Sequence, residues 1–377
     1  MIKSCFVLIF ILLPWFSLTW ALVPPVPSIQ ASSYILVDAT TGKVIAEYQA
    51  DEKNPPASLT KIMTSYIVQK QIKQGVVSAD DQVPVSVKAW RAQGSKMFIR
   101  EGTHVALSDL MRGVVIQSGN DASIALAEFV AGDESSFAQM MNAQAAELGM
   151  TNSQFVNATG LPDSEHFSSA RDLAILTVDL IRKYPKHYEL YSERGFKFNN
   201  IEQPNRNRLL RYDRSVDGVK TGYTRAAGYC LIASAKRKNM RLISVVMGAE
   251  SDDARVRESQ KLLTYGFRNF ETINVYEAGE VLKTAPMFYG QEKAISLGMN
   301  GRLSITLPRG VYENIEAEIS IPKVIEAPIS KGAIVGELVL KQETEVLYKT
   351  SIVSMDDHQE GDFFSRLSDY FRLLFSD

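Results

Sequence analysis

Three short motifs place side chains of complementary chemistry in a fixed order along the chain: Ser58-Leu59-Thr60-Lys61, Ser118-Gly119-Asn120 and Lys220-Thr221-Gly222. A serine hydroxyl is a weak nucleophile at neutral pH and needs an adjacent base. Lys61 stands three residues beyond Ser58, which on a helix puts both on one face and within reach of each other. A lysine accepts a proton only when neutral, so its pKa must fall through burial and a nearby positive charge. Lys220 is the candidate cation. Ser118 can relay a proton to a leaving amine, and Asn120 can hold a substrate amide while bonding Lys61. Lys220, Thr221 and Gly222 offer a charge, a hydroxyl and a flat backbone against which an extended peptide can lie as an added strand. Each motif alone has a plainer reading, Lys61 as a surface lysine and Ser118 or Asn120 as a helix cap. Two fixed positions recur by chance in a chain of this length. The ordered set of three is far more specific.

The elements that must position these residues follow from patterning. Leu59, Ile62, Met63, Tyr66 and Ile67 recur at helical spacing and predict a helix starting near Ser58. Pro55-Pro56 keeps the chain extended up to that start. There the helix dipole favours negative charge on the Ser58 oxygen. ALSDLMRGVV and DASIALAEFVAG predict helices on either side of the loop QSGND, and SSFAQMMNAQAAELG and ARDLAILTVDLIRKY predict two more. SYILVDATTGKVIAEY reads as two strands with a turn between them. SVDGVKTGYT, GYCLIASAKR and MRLISVVMGAE read as successive strands of an antiparallel sheet. Lys236, Arg237, Lys238 and Arg241 then fall in a solvated hairpin turn, and DDARVRESQKLLTYGFRNF returns to helix. The expected fold class is α+β, a helix and antiparallel-sheet domain.

Beyond Phe270 short alternating runs broken by Gly and Pro predict a small all-β module without recognisable chemistry. The end, GDFFSRLSDYFRLLFSD, predicts an amphipathic helix. Phe363, Phe364, Leu367, Tyr370, Phe371, Leu374 and Phe375 share one face, with Asp362, Arg366, Asp369 and Arg372 opposite. It is too short and too charged to span a bilayer but suits a membrane surface. Docking on the protein's own core, or dimerisation, is the competing reading. Residues 356–362, DDHQEGD, read as a polar lead-in without packing potential.

Composition narrows the function classes. At 377 residues two or more domains are expected. Lysines and arginines total 41 against 43 acidic residues, with no large basic block, which argues against a nucleic-acid binder. Lys3, an apolar run and the small residues Thr19 and Ala21 predict an export signal cleaved after Ala21. Cys5 would leave with it, so Cys230 alone excludes an intramolecular disulfide. His104, His166, His187 and His358 show no metal-ligand spacing and read as solvated residues, so no metal or other cofactor is expected.

With the three motifs, the strings PPASLTKIMTSY, QSGNDA, SSARDLA, VDGVKTGYT and MRLISVVMGAE make the chain resemble the low-molecular-mass penicillin-binding proteins, specifically the D-alanyl-D-alanine carboxypeptidases. The resemblance runs from about Ser33 to the C-terminus. It implies a β-lactamase/transpeptidase-like catalytic domain over residues 22–270, a β-rich domain over 271–355 and an anchor over 356–377. It further implies a Ser58 acyl-enzyme, peptidoglycan stem peptides ending in D-Ala-D-Ala as substrate, and acylation by β-lactams. The location implied is the periplasmic face of the bacterial inner membrane, with peripheral attachment. Backbone N–H groups of Ser58 and Tyr223 would form the oxyanion hole. Many relatives carry histidine at the position of Tyr223, which a backbone donor tolerates. Arg255 matches the family's carboxylate-binding arginine by position, with Thr221 assisting, and Arg206 stands as a candidate at the cleft edge. A D,D-endopeptidase and a class A-like β-lactamase share the motifs. Against the latter, the segment containing Glu165 lacks its Glu-x-x-Leu-Asn pattern.

Overall fold

A five-stranded antiparallel sheet frames the larger domain: β1 (Ser33–Asp38), β2 (Val44–Tyr48), β3 (Val216–Thr224), β4 (Gly228–Arg237) and β5 (Met240–Ala249), in the order β2-β1-β5-β4-β3. The computed structural model describes residues 23–311 and 315–374. The predicted signal segment, Cys5 and Phe375 lie outside them. β3, which carries Lys220-Thr221-Gly222, is the edge strand beside β4, with Lys220 opposite Ile232 and Gly222 opposite Cys230. An edge strand leaves one row of backbone groups free for a partner.

Successive residues of the central strands face opposite cores, as the period of a strand requires. Val245 and Ile35 pack with Ile62, Met63, Leu126 and Leu176 on one side, while Val246 and Leu36 pack with Leu262 and Leu263 on the other. Helices α1 (Lys61–Lys73), α2 (Asn120–Ala131), α3 (Glu134–Glu147) and α4 (Ala170–Lys183) contribute to the first layer. Helix α5 (Asp252–Asn269) covers the second face, so the sheet is sandwiched rather than covered on one side. Asp133, Ser169 and Ser251 cap α3, α4 and α5, each accepting a backbone N–H from the first turn.

Two local departures from the sequence expectation concern the motifs. The helix expected from Ser58 begins at Lys61, and Ser58 lies on a preceding 3-10 turn, Ala57–Thr60, entered through Ala57 at a positive φ of 48°. A 3-10 turn has three residues per turn, so Ser58 and Lys61 eclipse one another. The helical run before QSGND divides into Leu107–Arg112 and a wider π turn, Gly113–Gln117, that ends with Ser118 in the left-handed region (φ 64°, ψ 35°).

The second domain is all-β. Phe270–Tyr276 pairs with Leu303–Pro308, and Val281–Pro286, Ala294–Gly298, Glu345–Ser354, Ile334–Gln342 and Ile315–Ser320 form a second sheet in that order. Buried Asp38 at the end of β1 accepts hydrogen bonds from the Thr272 and Thr306 hydroxyls, tying the two domains together.

The C-terminal helix, α6 (Phe363–Leu374), combines the two readings the sequence left open, a docked side and an outward apolar face. Its polar side is docked: Asp369 accepts from the Tyr289 N–H at 2.7 Å and from Lys293 Nζ at 3.0 Å. Phe363, Phe364, Leu367, Tyr370, Phe371 and Leu374 point outward, each more than 40% exposed. The lead-in also packs, contrary to expectation. Gln291 N–H donates to the Gln359 carbonyl, Gly361 N–H to that of Tyr289, and His358 exchanges both backbone bonds with Ile329. Polar side chains concealed this because the contacts run through the backbone. The histidines differ as well: His104 is exposed, but His166, His187 and His358 are buried.

Candidate active site

Lys61 is 1% exposed, and its Nζ reaches three oxygens: Ser58 Oγ at 3.0 Å, Asn120 Oδ1 at 2.7 Å and the Thr159 carbonyl at 2.5 Å. A neutral lysine has two N–H groups and one lone pair. Asn120 and Thr159 present acceptors only, so they fix the two N–H groups and leave the lone pair aimed at the Ser58 hydroxyl. Burial, then the positive charge of Arg206, lowers Lys61 to about 7, against smaller opposing pulls from Asp121 and Glu134. Lys220, 2% exposed, is pushed well below its ordinary value by burial and by the charges of Lys61, Arg206 and Arg255. Arg206, which no motif singled out, therefore adds its charge to the mutual repulsion of the two buried lysines. A guanidinium stays charged at any working pH, so its effect does not depend on how the two lysines share protons.

Ser118 Oγ is buried in the same site without a protein partner. Its left-handed backbone follows from the π turn before it and directs the chain into α2. Asn120 is not a cap. Its Nδ2 donates to the Gln93 carbonyl at 2.5 Å and its backbone N–H to that of Ser95 at 2.7 Å. Asp121, fully buried, accepts from the N–H groups of Met97, Phe98 and Ile99, which fastens the loop holding Gln93 and Ser95.

β3 lies flush against the Ser58 turn. A Cβ on Gly222 would stand 3.1 Å from the Pro56 carbonyl oxygen and 3.2 Å from Ser58 N. Any larger residue would press the turn outward by a few tenths of an ångström, which glycine avoids. Tyr223 is exposed and lies tilted over Tyr229, with ring centroids 4.2 Å apart. Arg255, 7% exposed, is tied to the sheet: Nη1 donates to the Gly222 carbonyl at 2.9 Å and the Cys230 carbonyl at 3.2 Å, and Nη2 to Asp252. Thr221 is buried beside it on β3. Arg206 is exposed and held only loosely, Nε donating to Gln117 Oε1 at 3.3 Å.

The motif residues therefore converge, and the loop 151–169 joins them through Thr159, a position no motif pointed to because it acts through its carbonyl. Glu165 on that loop is exposed. Among the described residues no group of three or more His, Cys, Asp or Glu could hold a metal ion.

A family model for D-alanyl-D-alanine carboxypeptidase matches residues 21–251, and one for the C-terminal domain of penicillin-binding protein 5 matches 270–360. The chain belongs to the D-alanyl-D-alanine carboxypeptidase family. It is 43% identical to D-alanyl-D-alanine carboxypeptidase DacC of Escherichia coli over 93% of this chain and 89% of the relative. It superimposes on the crystal structure of penicillin-binding protein 5 from Haemophilus influenzae with a TM-score of 0.86 at 41% identity, covering 90% of this chain and all of the other. A D-alanyl-D-alanine endopeptidase of E. coli is 29% identical over 73% of this chain and 87% of the relative. The family's activity, that of a serine-type D,D-carboxypeptidase, and its two-domain plan of a mixed helix and sheet domain followed by an all-β domain are thereby those of this chain.

Proposed function

We propose that the chain removes the terminal D-Ala from peptidoglycan stem peptides through an acyl-enzyme on Ser58. Lys61 takes the Ser58 proton as the oxygen attacks the carbonyl between the two D-alanines. The N–H groups of Ser58 and Tyr223 receive the developing oxyanion. Ser118, buried and unpartnered two residues before the Asn120 that bonds Lys61, passes the proton to the leaving amine, and Asn120 holds the substrate amide. The peptide lies along β3, where Lys220, Thr221 and Gly222 contact it. The charges of Arg255 and the freer Arg206 draw its terminal carboxylate, with Thr221 donating a hydrogen bond. A β-lactam enters by the same attack, its opened ring keeping the amine tethered.

The observation that carries this reading is the pair of acceptors, Asn120 Oδ1 and Thr159 O, that leave the lone pair of a low-pKa Lys61 directed at Ser58. Exposure of Glu165 speaks against a class A-like β-lactamase, which needs a carboxylate at the acyl group. The match of residues 270–360 and the lower identity to the endopeptidase favour a carboxypeptidase. Mass spectrometry after penicillin treatment should place the adduct on Ser58, and a D-Ala-D-Ala pentapeptide should release free D-alanine. An adduct on Ser118 would overturn the assignment.

The outward apolar face of α6 supports peripheral attachment to a membrane surface, and the predicted export signal supports the periplasmic side of the inner membrane. Among the described residues no helix is long and apolar enough to cross a bilayer. Each apolar side chain sunk at an interface contributes on the order of 1–2 kcal/mol before ordering losses.

A further inference from the structure

Lone-pair direction at Lys61 depends on where the Thr159 carbonyl stands, and two side chains outside the motifs hold it there. Asn157 Oδ1 accepts from Thr159 N–H at 3.1 Å, from Thr159 Oγ1 at 2.8 Å and from Gly160 N–H at 2.8 Å. On the far side of the loop His166 Nδ1 accepts the Val156 N–H at 3.2 Å. That leaves the ring proton on Nε2, which lies 2.8 Å from the Thr60 hydroxyl. Thr60 sits between Ser58 and Lys61, so the imidazole fastens the loop to the turn that carries the nucleophile. Gly160 closes the fit: at φ +79° a Cβ there would meet the Ala57 carbonyl at 1.8 Å. Burial first, with the charge of Lys61 adding to it, lowers His166 to about 4, against Asp163 and Glu134. The ring therefore keeps its single-proton form throughout the working range.

We propose that His166 and Asn157 are positioning residues for the base: they hold the Thr159 carbonyl against Lys61 and so aim its lone pair at Ser58. This rests on Lys61 being the base. Neither side chain touches substrate. Release of the loop also admits water to Lys61, which raises its pKa because burial is the main cause of its depression. Arg206 and Lys220 on one side, and Asp121 and Glu134 on the other, face Lys61 in either case.

The test follows acylation by a fluorescent penicillin from pH 5 to 10, with melting temperature, for His166→Ala, His166→Gln, Asn157→Ala, Lys61→Ala and the double variant. His166→Ala and Asn157→Ala should slow acylation between about 10- and 100-fold and move the acid limb to higher pH. His166→Gln, whose amide can still donate to Thr60, should recover most of the rate. In the Lys61→Ala background, His166→Ala should cost nothing further, because both act through one group. Half-exposed Asn157 decides the matter if His166→Ala fails to fold. An unmoved acid limb in the folded variants, or a rate loss that only tracks melting, overturns the proposal. Normal labelling of Lys61→Ala would instead remove the base reading beneath it.

Discussion

Lys61 in the cleft and Asp369 in the C-terminal helix are each 1% exposed, yet burial leads them to opposite ends. Around Lys61 burial and the positive charge of Arg206 outweigh Asp121 and Glu134, with Lys220 buried in the same cleft, and the ammonium gives up its proton near neutrality. Around Asp369 burial would also favour the neutral form, but hydrogen bonds from Lys293 and the Tyr289 N–H outweigh it and hold the carboxyl below its usual range. Lys293 at 3.0 Å and Arg372 at 3.7 Å supply the opposite charge. Withdrawal from water sets the stakes, and the sign of the neighbours decides whether the group becomes reactive or becomes a fastening.

That contrast can be broken most forcefully at Lys61. Lys61→Ala and Lys61→Arg should both lower penicillin acylation by roughly 10²–10⁴-fold, since a guanidinium cannot act as a base. A folded Lys61→Arg protein that labels normally would show that charge, not proton acceptance, is what the cleft needs. Next comes the neighbour. Below about pH 7 Lys61 is protonated, so kcat/KM should fall as pH drops through that value. Arg206→Ala removes a positive charge, raises the Lys61 pKa and should shift the acid limb to higher pH. It should also weaken capture of free-acid peptides by about one power of ten. Arg255→Ala should match that loss and in addition lower the melting temperature, because its guanidinium bonds carbonyls of two strands.

The other half of the comparison gives smaller effects. A chain ending at Gly361 retains the paired lead-in, and it should leave the membrane fraction while cleaving soluble peptide normally. Retention with membranes would refute attachment through α6. Asp369→Ala should leave cleavage unchanged and cost about 1 kcal/mol or less, because Lys293 is half exposed. Its signature is faster hydrogen exchange at the Tyr289 amide; unchanged protection there would mean that Asp369 does not hold the helix.

The sequence revealed what side chains do and concealed what backbones do. Ser58, Lys61, Ser118, Asn120 and Lys220 were legible because their types and order carry chemistry, and the sheet order around β3 followed from β-branched alternation. Thr159 was not legible: its contribution is a carbonyl, which every residue has. His166 looked solvated because nothing in sequence marks a histidine that will meet a threonine 106 positions away. The 3-10 turn at Ser58 was read as helix because both place residues i and i+3 together. For α6 the amphipathic pattern identified two faces but not which one would dock, and the polar one did.

The burial of Lys61 also sets a time at which the protein becomes reactive. In a chain that has not folded, this side chain is hydrated and keeps its proton up to about pH 10.4, so on the proposed mechanism Ser58 has no base there and resembles any other serine. Nucleophilicity arrives only when residues 61, 120, 159 and 206 come together from distant parts of the sequence. On that reading a newly made chain is chemically silent until it folds. Penicillin labelling, for the same reason, counts folded molecules.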